Sequence, residues 1–339
     1  RVLVDGEELI EQWSGHPFRQ KEGYKEFKGG RTYRIAYEHF DGGSEQETMF
    51  RYADYLNDPA FIEAVRTADA VVVCVGYDWY LESESWDRPF ALPEGHLRCL
   101  ETILEHTDKA VVVINSGGGV EMAPWIDRTG GVLMAWYQGQ QGGDAIAELL
   151  TGKISPSGKL PFTLEKRWED NPVYDNYYPN TDQVKEDNPY KRVEYNEGVF
   201  VGYRGYERNG VEPLFPFGFG LSYTTFDYSG LKAEAAGDGE FIVSFDVTNT
   251  GRYDAAEVAQ LYVGDVESSV VRPAKELKGY EKIFLKRGET RRVELRLDEE
   301  AFRHYDCIRR DFVVEPGDFD LFVGTSSQDI RLKTRINVK

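Results

Sequence analysis

The sequence predicts an α/β domain with an open, mainly parallel sheet sandwiched by helices, followed by an all-β sandwich and preceded by a partial β domain. Apolar runs alternate with helical patterns from about residue 58 to 164, and period-two alternation begins near residue 221. Strand–helix alternation implies a parallel sheet with right-handed crossovers, whereas several short strands separated by turn signals indicate a sandwich. The predicted domains are residues 1–50, 51–220 and 221–339.

The amino-terminal segment has the pattern of β structure. Val2 and Val4 precede a turn at Asp5-Gly6, and residues 32–37 alternate like a half-buried strand. Two or three strands cannot bury a core alone. The chain also begins at Arg1 without an initiator Met. We therefore interpret residues 1–50 as the end of a β domain and the chain as a fragment of a longer protein.

Residues 58–164 carry the signals of the α/β domain. Asp58-Pro59 predicts a helix start, because a capping side chain precedes a proline at the first helical position. Continuous apolar runs are typical of parallel strands covered on both faces. We expect such strands at residues 70–75, 110–114 and 131–136, a last short strand near 160–164, and helices around residues 97–104 and 145–150.

The carboxyl-terminal part divides into an aromatic linker and a sandwich. Residues 165–220 show little periodicity and are rich in Tyr, Asn, Pro and Gly, so we expect them to drape over neighbouring domains. Apolar residues then alternate with polar ones over residues 241–247, 293–297 and 319–323. This pattern indicates a β-sandwich of immunoglobulin-like or fibronectin-like type.

The composition excludes several classes of function. A net charge of −19 argues against nucleic acid and anionic membranes as partners. No apolar run reaches the length of a membrane span. The five histidines lack metal-ligand spacing and the three cysteines form no CxxC pair, so the sequence predicts neither a metal nor a cofactor. A neutral substrate such as a sugar is compatible with this charge.

In open α/β sheets, functional groups gather beyond the carboxyl ends of the strands. The loop over residues 77–93 combines aromatics, carboxylates and an Arg. Aromatic faces stack on pyranose rings, and carboxylates bind hydroxyls or exchange protons, although a solvated acidic surface is the alternative. The loop over residues 115–120 lacks the third glycine of a dinucleotide fingerprint, which disfavours a nucleotide-binding protein. Residues 137–143 have the pattern of a helix-start turn that needs small residues.

Six segments in register resemble glycoside hydrolase family 3, in its β-glucosidase branch. They are Glu84–Arg88, Asn115–Trp125, Ala135–Gly143, Pro156–Pro161, Glu197–Arg204 and Pro213–Tyr223. The resemblance implies a (β/α)₈ barrel, an α/β sandwich domain and a fibronectin type III-like domain, of which we expect only the last two here. Residues 1–50 are similar to the end of a protective-antigen-type β insertion.

The resemblance also implies a division of catalytic labour. Glu84 would be the general acid/base, and the nucleophilic Asp would come from the barrel. Ser85 replaces the usual Gly of the motif. Glu82 is the internal rival of Glu84, and on an extended segment the two side chains would point to opposite sides. The further expected site residues are Trp79, Trp86 and Phe18 for substrate binding, and Asp87 and Arg88 for bracing the loop.

The implied function is hydrolysis of terminal non-reducing β-D-glucosyl residues with retention, on a β-glucoside or short oligosaccharide. The fragment alone should be inactive without the barrel domain. The alternatives are a β-xylosidase of the same family and a non-catalytic carbohydrate-binding or scaffold fragment. A structural role is the alternative for Phe18 and its aromatic neighbours. A homo-oligomer is left open, and a periplasmic or extracellular location is favoured over a cytoplasmic one.

Overall fold

The computed structural model describes residues 1–11, 23, 25, 27–38, 56–78, 81–84, 88–177, 194–237 and 239–339. The chain forms two compact units, Arg1–Gln138 and Gly139–Lys339. The predicted domain boundaries near residues 50 and 220 therefore stay predictions. None of the helices among the described residues is long and apolar enough to cross a membrane.

The first unit begins with a small antiparallel sheet. Its strands are β1 (Val2–Val4), β2 (Glu7–Ile10) and β3 (Ile35–Tyr37), in the order β2-β1-β3. Val2 and Val4 are buried, as expected for the inner face of a strand. Strand β3 begins later than the predicted start at residue 32. The ladder ends there because the Arg34 N–H donates to the Asp5 carboxylate (2.8 Å) instead of to a strand.

A parallel three-stranded sheet follows, as the sequence predicts. Strands β4 (Val71–Gly76), β5 (Ala110–Asn115) and β6 (Gly131–Met134) lie in the order β4-β5-β6. Strand β5 is mostly buried, but Val72 and Cys74 of β4 are exposed. Val72 and Cys74 are two positions apart and point to the same face of β4, so coverage on both faces is a wrong expectation for this strand: among the described residues that face is open.

Two helices of this unit have the predicted positions. Helix α1 (Pro59–Thr67) begins where the Asp58 carboxylate accepts the Ala60 N–H at 2.9 Å, with proline in its first turn. Helix α2 (Glu94–Leu104) buries Leu100 and the other residues at helical spacing. A 3₁₀ turn at Ile126–Arg128 leads into β6.

The second unit opens with helix α3 (Gly142–Leu150), which the sequence predicts. The predicted strand near residues 160–164 does not form a continuous ladder. Leu160 pairs with Gly218 and Phe219, and Leu164 forms an isolated bridge to Phe215. The supposed linker also contains regular structure. It includes a 3₁₀ turn at Trp168–Asp170 and the helices α4 (Tyr174–Tyr177) and α5 (Tyr203–Asn209).

The rest of the second unit is a β-sandwich, which confirms the period-two prediction. One sheet has the strand order β10-β9-β14-β15 and the other β11-β8-β7, with a separate hairpin β12-β13. Fully buried side chains, including Phe245, Leu261 and Phe319, form the core between the two sheets. The elements are β7 (Phe226–Gly237), β8 (Glu240–Asn249), β9 (Ala255–Asp265), β10 (Glu276–Leu285), β11 (Thr290–Leu297), a 3₁₀ turn (Glu299–Ala301), β12 (His304–Asp306), β13 (Asp311–Val313), β14 (Gly317–Gly324) and β15 (Ile330–Val338).

Candidate active site

The loops after β4, β5 and β6 leave the same edge of the parallel sheet, which we call the carboxyl edge. Gly76, the last residue of β4, has φ of +150°. A Cβ on Gly76 would lie 2.0 Å from the carbonyl oxygen of Asn115. Only glycine fits this close approach, which sets the direction in which the first loop leaves the sheet.

The first loop turns immediately after β4. The Asp78 carbonyl oxygen accepts the N–H groups of Leu81 (3.1 Å) and Glu82 (2.9 Å), and the Asp78 carboxylate also accepts the Leu81 N–H (3.2 Å). An Asp side chain that binds the backbone ahead of it is a common way to initiate a turn. This turn carries Glu82 towards the second loop. The expectation that Glu82 and Glu84 point to opposite sides of an extended segment stays a prediction.

The Glu82 carboxylate contacts donors from all three loops. Its Oε1 lies 3.1 Å from Nε of Arg88, in the first loop. Its Oε2 accepts the Gly117 N–H of the second loop at 3.2 Å and the hydroxyl of Tyr137 in the third. The Glu82 side chain is 22% exposed. One carboxylate thus joins the ends of three parallel strands.

This environment keeps Glu82 ionised. Burial alone would raise the pKa of Glu82, but the hydrogen bonds from Tyr137, the Gly117 N–H and Arg88 outweigh burial and lower the pKa below its usual value. Burial and the bond to Glu82 raise the pKa of Tyr137 above its ordinary value. At neutral pH Glu82 is a carboxylate and Tyr137 a neutral donor, so Glu82 holds no proton to give.

Arg88 fills the space between the first two loops. Its Nη2 donates to the carbonyl oxygen of Gly119 (2.8 Å) and to Oγ of the buried Ser116 (3.1 Å). Its guanidinium also lies 4.2 Å from the centre of the Tyr77 ring, within the range of a cation–π contact. Burial raises the pKa of Tyr77 to about 12, and the Tyr77 hydroxyl donates to the carbonyl oxygen of Ala91 (2.8 Å).

Glu84 has a different environment from Glu82. Its side chain is exposed, and within the described part of the chain its carboxylate has no hydrogen-bond or ion-pair partner. Of the site residues expected from the sequence, the structure therefore places Glu84 and Arg88. The remaining ones, Trp79, Trp86, Phe18 and Asp87, lie outside the described residues, as does Ser85.

The sequence did not single out Tyr137 or Gly117 as site residues. The sequence pattern predicts a helix-start turn for the loop of Tyr137, and the loop of Gly117 only partly matches a nucleotide-binding fingerprint. The available signal was that both loops follow parallel strands whose carboxyl ends meet at one edge. Trp136, directly before Tyr137, has φ of +57°, an unusual value for a bulky residue that often marks a functional position.

A cavity of about 490 Å³ opens beside the end of β4. Its polar lining includes Asp78, Glu94, His96 and Asn115. Carboxylate, imidazole and amide groups suit a ligand with hydroxyls better than an anion. Among the described residues, no three His, Cys, Asp or Glu side chains are grouped to hold a metal ion.

The chain combines a parallel α/β sheet with a β-sandwich that follows it. The carboxyl edge of the parallel sheet carries carboxylates, an Arg and a Tyr, which suit acid–base chemistry on a hydroxylated ligand. The sequence profile of the glycosyl hydrolase family 3 C-terminal domain matches residues 20–203, and that of the fibronectin type III-like domain matches residues 257–327. The chain belongs to glycosyl hydrolase family 3.

Named relatives agree with this assignment. The chain is 44% identical to thermostable beta-glucosidase B of Acetivibrio thermocellus over 280 residues, which cover 81% of the chain and 36% of that protein. It is 39% identical to an exo-alpha-(1->6)-L-arabinopyranosidase of Bifidobacterium breve, with 80% and 36% covered. The chain thus spans about a third of the length of these relatives.

A solved structure shows the same fold. The crystal structure of a family 3 beta-glucosidase from Bifidobacterium adolescentis superposes with a TM-score of 0.78 at 37% identity. The match covers 86% of the present chain and 42% of that one.

Proposed function

We propose that this chain supplies the general acid/base of a retaining β-glucosidase, with Glu84 as the reacting carboxyl group. The proposal rests on the contrast between two neighbouring carboxylates at the carboxyl edge. Glu82 is held as an ion by three donors, whereas Glu84 is exposed and without a partner among the described residues. Only a carboxyl group in the second situation is available to exchange a proton with a substrate.

The proposed reaction needs a second carboxylate, an Asp from a barrel domain that lies outside these 339 residues. That Asp attacks the anomeric carbon while protonated Glu84 donates its proton to the glycosidic oxygen, and the leaving alcohol departs. Ionised Glu84 then removes a proton from water as the water attacks the glycosyl–enzyme, and sugar and free Asp are released. Retention requires about 5 to 5.5 Å between the two carboxyl groups.

The other expected site residues keep their proposed roles. The contacts of Arg88 with both loops support its role in holding the first loop. Asp87 is proposed to help Arg88, and Trp79, Trp86 and Phe18 to contact the sugar or its leaving group. We also propose the domain bounds 1–50, 51–220 and 221–339, with the substrate meeting the second of these domains and the barrel.

The proposed substrate class is a β-glucoside or short oligosaccharide with a terminal non-reducing β-D-glucosyl residue. Relatives named beta-glucosidase support it. A relative named arabinopyranosidase, at 39% identity, supports a pentopyranoside as the second candidate glycone. The β-xylosidase alternative belongs with that second candidate, since it also takes a pentopyranoside.

The test joins this chain to the remaining part of the Acetivibrio thermocellus relative, in place of the segment that it matches. We expect the chimera to hydrolyse 4-nitrophenyl β-D-glucoside faster than the β-D-xyloside and the α-L-arabinopyranoside. Glu84→Gln should lower kcat/KM for alkyl glucosides by about 100- to 10,000-fold, because a general acid contributes that much. Its effect on 2,4-dinitrophenyl β-D-glucoside should be far smaller in the first step, since that leaving group needs no proton.

The matched control is Glu63→Gln, which removes one exposed carboxylate from helix α1 and should leave the rates unchanged. If Glu82→Gln shows the leaving-group pattern and Glu84→Gln does not, the assignment of the acid/base is wrong. If the folded chimera binds glucosides and none of the Glu variants changes its rate, the chain is a non-catalytic carbohydrate-binding scaffold.

A further inference from the structure

We infer that Glu82 is a positioning residue, whose ionised carboxylate ties the loop after β4 to the loops after β5 and β6 and so fixes the direction of Glu84. The catalytic half of this inference rests on the proposed function, and the structural half does not. Glu82 itself transfers no proton in this scheme.

The contacts of the Glu82 carboxylate reach all three loops. Glu82 Oε1 pairs with Arg88, while Oε2 accepts both the Gly117 N–H and the Tyr137 hydroxyl. Arg88 extends the tie, because it also donates to Ser116 and to the Gly119 carbonyl oxygen. The three loops therefore meet at one side chain, and each is held by a different kind of donor.

The second loop packs closely against Glu82, Tyr137 and Arg88. A Cβ on Gly117 would lie 3.0 Å from Glu82 Oε1 and 3.3 Å from the Tyr137 ring, and a Cβ on Gly118 would lie 3.2 Å from Arg88 Nη2. Such contacts are tighter than ordinary van der Waals packing. Glycine at both positions lets the second loop approach Glu82 and Arg88 closely, and a side chain there would require these groups to move by a few tenths of an ångström.

The groups around residue 82 donate hydrogen bonds to it, and its oxygens accept them. The guanidinium and the Gly117 N–H can only donate, so both oxygens of residue 82 must accept. A carboxylate meets this demand on both sides. Glutamine has the same shape but must turn its NH₂ towards one of these donors, so Glu82→Gln breaks the tie on that side.

Glu82 lies only two positions before Glu84 in the sequence, so a shift of Glu82 should also shift the Glu84 side chain. A general acid loses much of its effect when its position shifts by about 1 Å, on the order of 100-fold in rate. Loosening the tie at Glu82 should therefore weaken proton donation by Glu84. The same change should have little effect on steps that need no proton from Glu84, such as the departure of an activated aryl leaving group.

The first experiment is a double-mutant cycle in the chimera described above. Glu82→Gln should lower kcat/KM for methyl β-D-glucoside by about 10- to 100-fold and for 2,4-dinitrophenyl β-D-glucoside by less than about 3-fold. Tyr137→Phe, which removes one donor, should show the same pattern with a smaller loss. In a Glu84→Gln background, Glu82→Gln should change the rate by less than about 2-fold, because the acid that it positions is gone.

Full additivity of the two changes would overturn the inference, since a general structural defect lowers the rate with or without Glu84. Equal losses with both leaving groups would overturn it as well. Glu82→Asp retains the charge but shortens the reach, and should recover part of the rate only if the carboxylate itself is required.

The second experiment needs no activity. In the 339-residue chain alone, Glu82→Gln should speed hydrogen exchange of the Gly117 amide by about tenfold, the effect of one lost hydrogen bond. Glu63→Gln should not change it. Unchanged exchange in Glu82→Gln overturns the structural tie. A different outcome is faster exchange in Glu82→Gln together with a chimera whose hydrolysis rate is the same with and without Glu84→Gln. That outcome overturns the proposed function and the catalytic half of the inference, but not the structural tie.

Discussion

Replacing Lys159 by methionine tests how the Pro156–Pro161 segment is attached to the β-sandwich. Lys159 Nζ lies 3.1 Å from Oε1 of Glu257 and donates to the Gly220 carbonyl oxygen at 3.0 Å. The two side chains are 11% and 4% exposed, and the Tyr228 hydroxyl donates to the same Glu257 oxygen at 3.1 Å. Without the ammonium group, Tyr228 is the only remaining side-chain donor to a buried carboxylate among the described residues.

Removing one partner of a buried ion pair costs about 3 to 5 kcal/mol, because the other charge stays buried. Burial raises the pKa of Glu257, and the positive charge of Lys159 opposes that rise. In Lys159→Met the pKa should rise further, so the carboxyl group can take up a proton at mildly acidic pH. A carboxyl group whose pKa is raised in the folded state is tolerated there while it is protonated. The folded state therefore loses stability as the pH rises through that raised pKa and the buried group ionises.

We therefore expect Lys159→Met to lower the free energy of unfolding by about 3 kcal/mol at pH 8 and by clearly less at pH 5. The assay is denaturant unfolding of the whole chain at both pH values. Adding Glu257→Gln should recover about half of the loss or more, because no buried charge remains. The exposed Lys282→Met is the control, with an expected effect within about 0.5 kcal/mol. An equal loss at both pH values would refute this reasoning.

Three further predictions concern stability. Gly76→Ala should lower the free energy of unfolding, measured in denaturant, by about 2 kcal/mol or more, because φ is +150° and the new Cβ would lie 2.0 Å from a carbonyl oxygen. The control Gly131→Ala has open space around the new Cβ and should lower it far less. Phe245→Ala should cost about 3 to 5 kcal/mol by the same assay, since the side chain is fully buried. The pKa of Glu82 is lowered in the folded state from its ordinary value of 4.5. The ionised Glu82 carboxylate therefore stabilises the fold at pH values above 4.5, and this stabilisation is lost as the pH falls through the folded-state pKa. Exchange of the Gly117 amide, corrected for its intrinsic pH dependence, should therefore increase over that fall, and Glu82→Gln should remove the change.

Elements with a clear local signal were predictable from the sequence. The Asp58-Pro59 cap and the apolar run of β5 lead directly to the observed helix and buried strand. Alternation over residues 241–247 predicted β8, because one face of a sandwich strand must be apolar. These signals depend on a few neighbouring residues and on the solvent.

Features that depend on what surrounds an element were not predictable in the same way. The apolar run of β4 looks like that of β5, yet Val72 and Cys74 are exposed, because the face of β4 that they share is open among the described residues. Leu160 and Leu164 both exchange backbone hydrogen bonds with residues 215–219, but the pairing is not continuous between them, so no regular strand results. Helix α5 has a weak pattern because part of its burial comes from aromatic contacts, such as the stacking of Tyr203 on Phe217.

In the candidate site, too, some features have a local sequence signal and others depend on residues far apart in the sequence. The rule that functional groups gather at the carboxyl edge pointed to three loops, and in the structure side chains and backbone groups of these loops contact one another. It could not reveal that Glu82, two residues from Glu84, is held by Tyr137 and Gly117, because those residues are about 35 to 55 positions away along the chain.

The most direct test of the account is azide rescue of Glu84→Ala in the chimera, with 2,4-dinitrophenyl β-D-glucoside as substrate. Azide needs no general base, so it can attack the glycosyl–enzyme in the space left by the missing carboxylate. We predict a rate that increases with azide concentration and a β-glucosyl azide product. An azide-independent Glu84→Ala rate, with rescue in Glu82→Ala instead, would contradict the assignment of Glu84 as the acid/base.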